Sequence, residues 1–200
     1  MNSDDDLINA LKTIKATFDS LGIEYYIGGS VASSFHGAMR STNDVDIVAE
    51  LNRVHLNLIM AGVKDEYYAS ESAMHDAIER RSSFNLIHLP TSFKVDVFVS
   101  RDRPFERSSL KRSSLVRLGT PDHGIDVPLA SVEDTLLAKL EWYRTGNEVS
   151  ERQWDDVSRL LKINHAAVDW DYLNSTADDL QVGDLLERLR WNSDNDFESR

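Results

Sequence analysis

Three aspartates and a glycine turn carry the chemistry in this sequence. Gly28-Gly29-Ser30 is followed, after thirteen intervening residues, by Asp44-Val45-Asp46-Ile47, and a third aspartate lies in Lys94-Val95-Asp96-Val97-Phe98-Val99. A Gly-Gly-Ser turn can press backbone N–H groups against a phosphate because no side chain intervenes. Two aspartates one residue apart on a strand face the same way, since side chains alternate with period two. Carboxylates are hard oxygen ligands suited to Mg²⁺. Nucleotidyl transfer commonly uses two such ions, one activating the attacking hydroxyl and one stabilising the leaving pyrophosphate. The spacing therefore predicts a phosphate cradle beside a carboxylate set, the working end of a phosphoryl- or nucleotidyl-transfer site. Asp44 and Asp46 read as metal ligands. Asp96 either completes the metal site, pairs with Lys94 or faces solvent; among its apolar neighbours it needs a partner if buried.

The elements that must position these groups follow from periodicity. Leu7, Leu11, Ile14, Phe18 and Leu21 repeat at helical spacing behind Asp4 to Asp6, and Gly22 ends that helix. Residues 23–27 read as a short strand running into the glycines, and 30–35 as a helix opening with Ser30 as a plausible cap. Strands are expected at 44–49, 83–89 and 93–99, with helices at 51–61 and 71–81. After residue 100 a short helix at 102–112 precedes strands near 114–119 and 125–128, separated by the turn composition Thr-Pro-Asp-His-Gly. From Ser131 onward the chain reads helical, at 131–145, 151–163, 167–174 and 178–190, with fraying expected from Asn192. Ser131 with Asp134 resembles a capping box. The expected organisation is an α/β core over 1–130 and a helical region over 131–200 packed on it.

Composition sets the outer bounds. The 200 residues suffice for one well-cored domain or a domain with a helical appendage, and 41% hydrophobic with 28% charged residues is ordinary for a soluble globular chain. There is no cysteine, which excludes disulfides and thiolate metal sites. No apolar run approaches the roughly 18 residues of a membrane span, and the start lacks the order of a secretion signal, so no membrane association and a cytoplasmic location are expected. A net charge of −12 argues against broad electrostatic capture of nucleic acid. One local exception is 101–117, where Arg101, Arg103, Arg107, Lys111, Arg112 and Arg117 outnumber Asp102 and Glu106 for a balance of +4. That patch is either a solvated face or a landing surface for a phosphate-rich acceptor. There is no G-x-G-x-x-G and no lysine placed as in a Walker motif, which disfavours Rossmann dehydrogenases and P-loop NTPases.

The run Gly28-Gly29-Ser30…Asp44-Val45-Asp46-Ile47…Val95-Asp96-Val97 resembles the signature of the nucleotidyltransferase superfamily with the polymerase-beta-like fold. The resemblance implies an α+β architecture, a small mixed sheet flanked by helices and followed here by a helical C-terminal half. Mg²⁺ (or Mn²⁺) and an NTP would sit at the edge that carries the carboxylates. A narrower resemblance joins Arg40-Ser41-Thr42-Asn43-Asp44-Val45-Asp46 to Lys139 in Asp-Thr-Leu-Leu-Ala-Lys-Leu. It is similar to AbiEii-type toxin nucleotidyltransferases, in which an Arg and a Thr precede the aspartate pair and a lysine on a later helix reaches the nucleotide. Arg152, Asp155 and Asp156 stand roughly where a further Arg…Asp…Asp helix would lie. This resemblance implies the toxin of a toxin-antitoxin or phage-defence pair, with a cognate antitoxin; the acceptor is RNA, protein or a small molecule, and the 101–117 patch would suit tRNA.

Read without the family, these added residues have two faces. Lys139 lies at the edge of the stripe Val132, Leu136, Leu140 and Tyr143, where it either reaches a phosphate as a mobile point charge or extends past the core into water. Arg40 contacts a phosphate or pairs with an acidic neighbour, and Thr42 shapes its loop by bonding its own backbone. Arg152–Asp156 and Asp155–Arg159 are i,i+4 pairs of small worth on an exposed helix. The six histidines form no metal-ligand spacing, His36 reads as a surface or packing residue, and Met39, Trp142, Trp154 and Trp170 as core or interface. The expected reaction is Mg²⁺-dependent transfer of a nucleoside monophosphate from an NTP to an acceptor hydroxyl. Asp44, Asp46 and Asp96 would hold metal, while Gly28, Gly29, Ser30, Arg40 and Lys139 would hold the triphosphate. The rival expectations are a catalytically silent nucleotide- or partner-binding module and an antibiotic-modifying nucleotidyltransferase, whose cationic substrate would suit the acidic chain.

Overall fold

The computed structural model describes residues 3–39 and 42–198. The chain groups into two compact units, Met1–Val31 with Ser41–Ala130, and Ala32–Arg40 with Ser131–Arg200. The segment after the glycine turn thus belongs with the helical half, although it precedes the aspartate strand in sequence.

The first unit holds a mixed seven-stranded sheet. Its strands are β1 (Tyr25–Ile27), β2 (Asp44–Ala49), β3 (Tyr67–Ala69), β4 (Ser83–His88), β5 (Lys94–Val99), β6 (Ser114–Leu118) and β7 (Ile125–Leu129), in the spatial order β3-β4-β5-β2-β1-β7-β6. The β2–β5 and β1–β7 pairs are parallel and the other pairs antiparallel. Val45, Ile47, Ala49, Val95 and Val97 are wholly buried and Val99 nearly so, which gives β2 and β5 one buried apolar face and one less buried face that carries Asp44, Asp46, Lys94 and Asp96. Helix α1 (Ser3–Ser20) buries Leu11, Ile14 and Phe18 and packs against α3 (Leu56–Val63), while α4 (Glu71–Arg80) lies on β4 and β5. A helix α5 (Pro104–Arg112) precedes β6.

Two elements of this unit depart from expectation. The helix placed at 51–61 is one 3-10 turn at Arg53–His55 and then α3; Asn52 caps the turn by accepting from the Val54 N–H. Strand β3 was not expected: it has three residues, only Tyr67 of which is buried, too few for a period-two pattern to register.

A buried imidazole in the first unit makes folding sensitive to acid. His88 is 3% exposed, its Nδ1 lies 2.7 Å from Thr91 Oγ1, and its ring sits 5.1 Å from that of Tyr67. Burial holds its pKa below the ordinary value, against a weaker upward pull from Glu66 and Asp6. The unfolded chain therefore takes up this proton at higher pH than the folded one. The contribution is fully present above about 6.5 and is lost as pH falls below it through the lower pKa of the folded chain. Between pH 7.5 and 5.5 the wild type should lose more melting temperature than His88→Gln, measured by circular dichroism on both.

The second unit contains the end of α2 (Gly29–Phe35) and the helices α6 (Val132–Thr145), α7 (Glu151–Asn164), α8 (Trp170–Asp179) and α9 (Gly183–Glu198). Ser131, Ser150 and Asp169 cap α6, α7 and α8 by accepting backbone N–H bonds. The expected Ser131–Asp134 pairing forms, with Ser131 Oγ donating to Asp134 Oδ2 at 2.8 Å and accepting from the Asp134 N–H at 3.1 Å. Asp134 is buried and also accepts from the Tyr172 hydroxyl at 2.6 Å. Glu133, which intrudes on the apolar stripe, is buried too, and its Oε1 accepts from the Asp169 N–H at 3.0 Å.

Helix α9 runs to Glu198 instead of fraying from Asn192, because Leu186, Leu189 and the 5% exposed Ser193 continue one buried face past that point. Met39 and Trp142 are 79% and 60% exposed, so neither is a core residue; Trp154 packs 5.3 Å from Tyr143 and carries the Arg188 guanidinium over its ring at 3.9 Å.

Candidate active site

Strand register assembles the aspartates. β2 and β5 run parallel with Asp44 opposite Lys94 and Asp46 opposite Asp96. Because their alternate residues fill the core, Asp44, Asp46, Lys94 and Asp96 all stand on the other face. On the far side of β5, Asn85 lies opposite Asp96. On the far side of β2, the Gly28 N–H donates to the Asp46 carbonyl at 2.9 Å, carrying the ladder one residue past β1. Gly28, Asp46, Asp96 and Asn85 therefore form a row across the sheet.

Gly29 closes that row from above. Its φ is +56°, the left-handed region, and a Cβ built there would lie 1.7 Å from Asp46 Oδ2 and 2.6 Å from its Cγ. No side chain fits between the turn and the carboxylate. Gly28, with no such constraint, would bring a Cβ no nearer than 3.7 Å from a ring carbon of Tyr26. Ser30 follows, half-buried, in α2.

The electrostatics centre on one ammonium. Lys94 Nζ lies 2.6 Å from Asp96 Oδ2, with side chains 41% and 21% exposed. The hydrogen bond to Asp96 is the main cause that raises the Lys94 pKa; partial burial opposes it, and the charges of Asp96, Asp44 and Asp46 add to it. Thr42 Oγ1 turns back on Asp44, within 3.2 Å of its carbonyl and closer still to its Oδ1. Thr42 thus bonds its own backbone as expected and also touches the carboxylate.

Among the described residues, no three carboxylate or imidazole side chains converge closely enough to hold a metal ion as they stand. The donor set nonetheless suits one. Three carboxylates share one sheet face, and the group drawn among them is already a cation, the Lys94 ammonium standing where positive charge is favoured.

Lys139 is on α6 in the second unit, its Nζ 3.7 Å from Asp156 Oδ2 on α7, both side chains about one-fifth exposed. Arg40 lies outside the described residues. The His36 carbonyl accepts from Asn164 Nδ2 at 3.0 Å, a packing link within the helical unit. In the 101–117 patch, Arg103 pairs with Glu106, Arg107 with Asp102 and Arg117 with Asp126, so three of its arginines face carboxylates.

The sequence already names Lys94 as a partner for Asp96. Its position opposite Asp44, and that of Asn85 opposite Asp96, depend on strand order and register, which no local pattern carries.

No family model matches the chain, and no curated protein matches it. Solved structures do. An antigenic nucleotidyltransferase-like protein from Paracoccidioides brasiliensis superposes with a TM-score of 0.61 at 18% identity, over 95% of this chain and 90% of that one. The antibiotic-resistance factor ANT(2'')-Ia in solution matches with a TM-score of 0.52 at 12% identity, over 96% and 97%. The same factor in complex with adenylyl-2''-tobramycin matches with a TM-score of 0.51 at 13% identity, over 92% and 98%. At these identities the likeness is one of fold: the chain has the mixed sheet and flanking helices of nucleotidyltransferase-like proteins. Among the described residues no helix is long and apolar enough to cross a membrane.

Proposed function

We propose that this chain transfers a nucleoside monophosphate from an NTP to an acceptor hydroxyl, in a Mg²⁺- or Mn²⁺-dependent reaction that releases pyrophosphate. The observation that carries the reading is the register of Asp46 against Asp96, with Gly29 held so close to Asp46 that no side chain could intervene. In this reading Asp44, Asp46 and Asp96 hold the divalent ions, which supply charge neutralisation at the triphosphate and at the attacking oxygen. Gly28, Gly29 and Ser30 face the triphosphate. Asp96 accepts the acceptor proton as the hydroxyl oxygen bonds to the α-phosphorus and the bond to the β-phosphate oxygen breaks.

For the acceptor we favour a small cationic molecule. The net charge of −12 and the pairing of Arg103, Arg107 and Arg117 with carboxylates leave little free positive field for RNA. The similar ANT(2'')-Ia has been captured in complex with adenylyl-2''-tobramycin. The tRNA reading rests on the basic 101–117 patch, and the toxin and antitoxin reading on the AbiEii-like motif alone.

The test supplies α-labelled NTPs and Mg²⁺ to three acceptor pools: aminoglycosides, total RNA and a protein extract. Label on the aminoglycosides is the expected result. Label on RNA or protein keeps the reaction and replaces the acceptor; no label on any pool, with no NTP-dependent rise in melting temperature, favours a silent binding module.

A further inference from the structure

We propose that Lys94 is the resident counter-ion of the carboxylate face and competes with the divalent ion for Asp96, so that metal binding and release of the ammonium are one event. The inference rests on the reading of Asp44, Asp46 and Asp96 as metal ligands, and adds a residue which that reading does not use.

Three features support it. Lys94 and Asp96 stand two residues apart on one strand, on the same face, and their charged atoms are 2.6 Å apart. Register sets Lys94 directly opposite Asp44, and Asp96 directly opposite Asp46, so the ammonium belongs to a square whose other three corners are carboxylates. The ammonium occupies Asp96 Oδ2, so a divalent ion bound through that oxygen must displace it, and one bound beside it is repelled by its charge. The lysine is also built to leave. Its side chain is 41% exposed, and half-exposed ammonium–carboxylate pairs are weak and easily broken. A lysine is a flexible point charge without the planar two-point grip of an arginine.

The experiment follows free Mn²⁺ by electron paramagnetic resonance as the full-length protein is titrated, in wild type, Lys94→Met, Lys94→Gln, Lys94→Arg and Asp46→Asn. Removing one unit of positive charge a few ångströms from a divalent ion in a partly exposed site should tighten Mn²⁺ binding about tenfold in Lys94→Met and Lys94→Gln. Lys94→Arg keeps the competitor and should bind no more tightly than wild type. The metal-free neutral variants should melt below wild type, and Mn²⁺ should restore them. In the wild type, the ¹⁵N-labelled Lys94 ammonium signal should shift as Mg²⁺ is added, a reading that needs no variant. If the neutral variants bind Mn²⁺ no more tightly than wild type, while Asp46→Asn loses it, the metal site stands and the competition is wrong. An unmoved Lys94 signal at saturating Mg²⁺ would overturn the competition in the same way. If wild type binds Mn²⁺ no better than Asp46→Asn, the ligand reading itself fails and takes the competition with it.

Discussion

Gly29→Ala is expected to lower nucleotidyl transfer by at least about a hundredfold, although it adds a single methyl group. The new Cβ would lie 1.7 Å from Asp46 Oδ2 and 3.0 Å from Asp46 Cβ, so the carboxylate or the turn must move by more than an ångström. A displacement of about 1 Å at a reacting group can cost on the order of 10²-fold in rate. The backbone adds its own penalty, because alanine at φ +56° costs about 1–2 kcal/mol relative to the right-handed region. Gly28→Ala makes the contrast. Its Cβ would meet only a Tyr26 ring carbon at 3.7 Å, an ordinary contact, so its loss should be far smaller. The check is kcat/KM and melting temperature for both variants side by side. Equal losses would show that the Gly29–Asp46 approach has no special place in the site.

Asp46→Asn is expected to be the more severe for chemistry and the milder for folding. The substitution keeps the shape and removes one charge from a face where Asp44, Asp46 and Asp96 are opposed by Lys94. Loss of a single group that stabilises developing charge typically costs about 10²–10³-fold in kcat, and a metal ligand should reach at least the upper end. Stability should hold or rise slightly, since a like charge is relieved, the usual relation between a functional site and its scaffold. Asp44→Asn should behave similarly, although Thr42 Oγ1 keeps a partner in the new amide oxygen. Steady-state kinetics and thermal melting on the same preparations separate the two effects. A variant that lost stability in step with activity would mark Asp46 as structural.

Much of the site was legible because its strands obey period two. The strand expected at 44–49 spans Asp44–Ala49, and that expected at 93–99 spans Lys94–Val99, since in each fully buried Val, Ile or Ala positions alternate with less buried ones that begin with Asp44, Asp46, Lys94 and Asp96. The helices α6 and α7 fell close to their expected limits for the same kind of reason, each opening on a serine cap. What was not legible is non-local. Asp46 faces Asp96 only because β5 inserts beside β2 in the order β4-β5-β2-β1, and no residue within either strand announces its neighbour. Strand β3 exists through its pairing with β4, not through its own pattern. Lys139 shows the limit from the other side. Its stripe-edge position left two fates open, and its placement 3.7 Å from Asp156 could be found only once α6 and α7 were packed.

If the carboxylate face serves transfer at the α-phosphorus, the fate of each phosphate of the NTP is fixed. α-Labelled and γ-labelled ATP would be run in parallel with Mg²⁺ and the acceptor pools, for wild type and Asp44→Asn/Asp46→Asn. Wild type should place α-label on an acceptor and release γ-label only as pyrophosphate, and the double variant should do neither. Transfer of γ-label to the acceptor, or α-label transfer undiminished in the double variant, would show that this face does not carry nucleotidyl transfer.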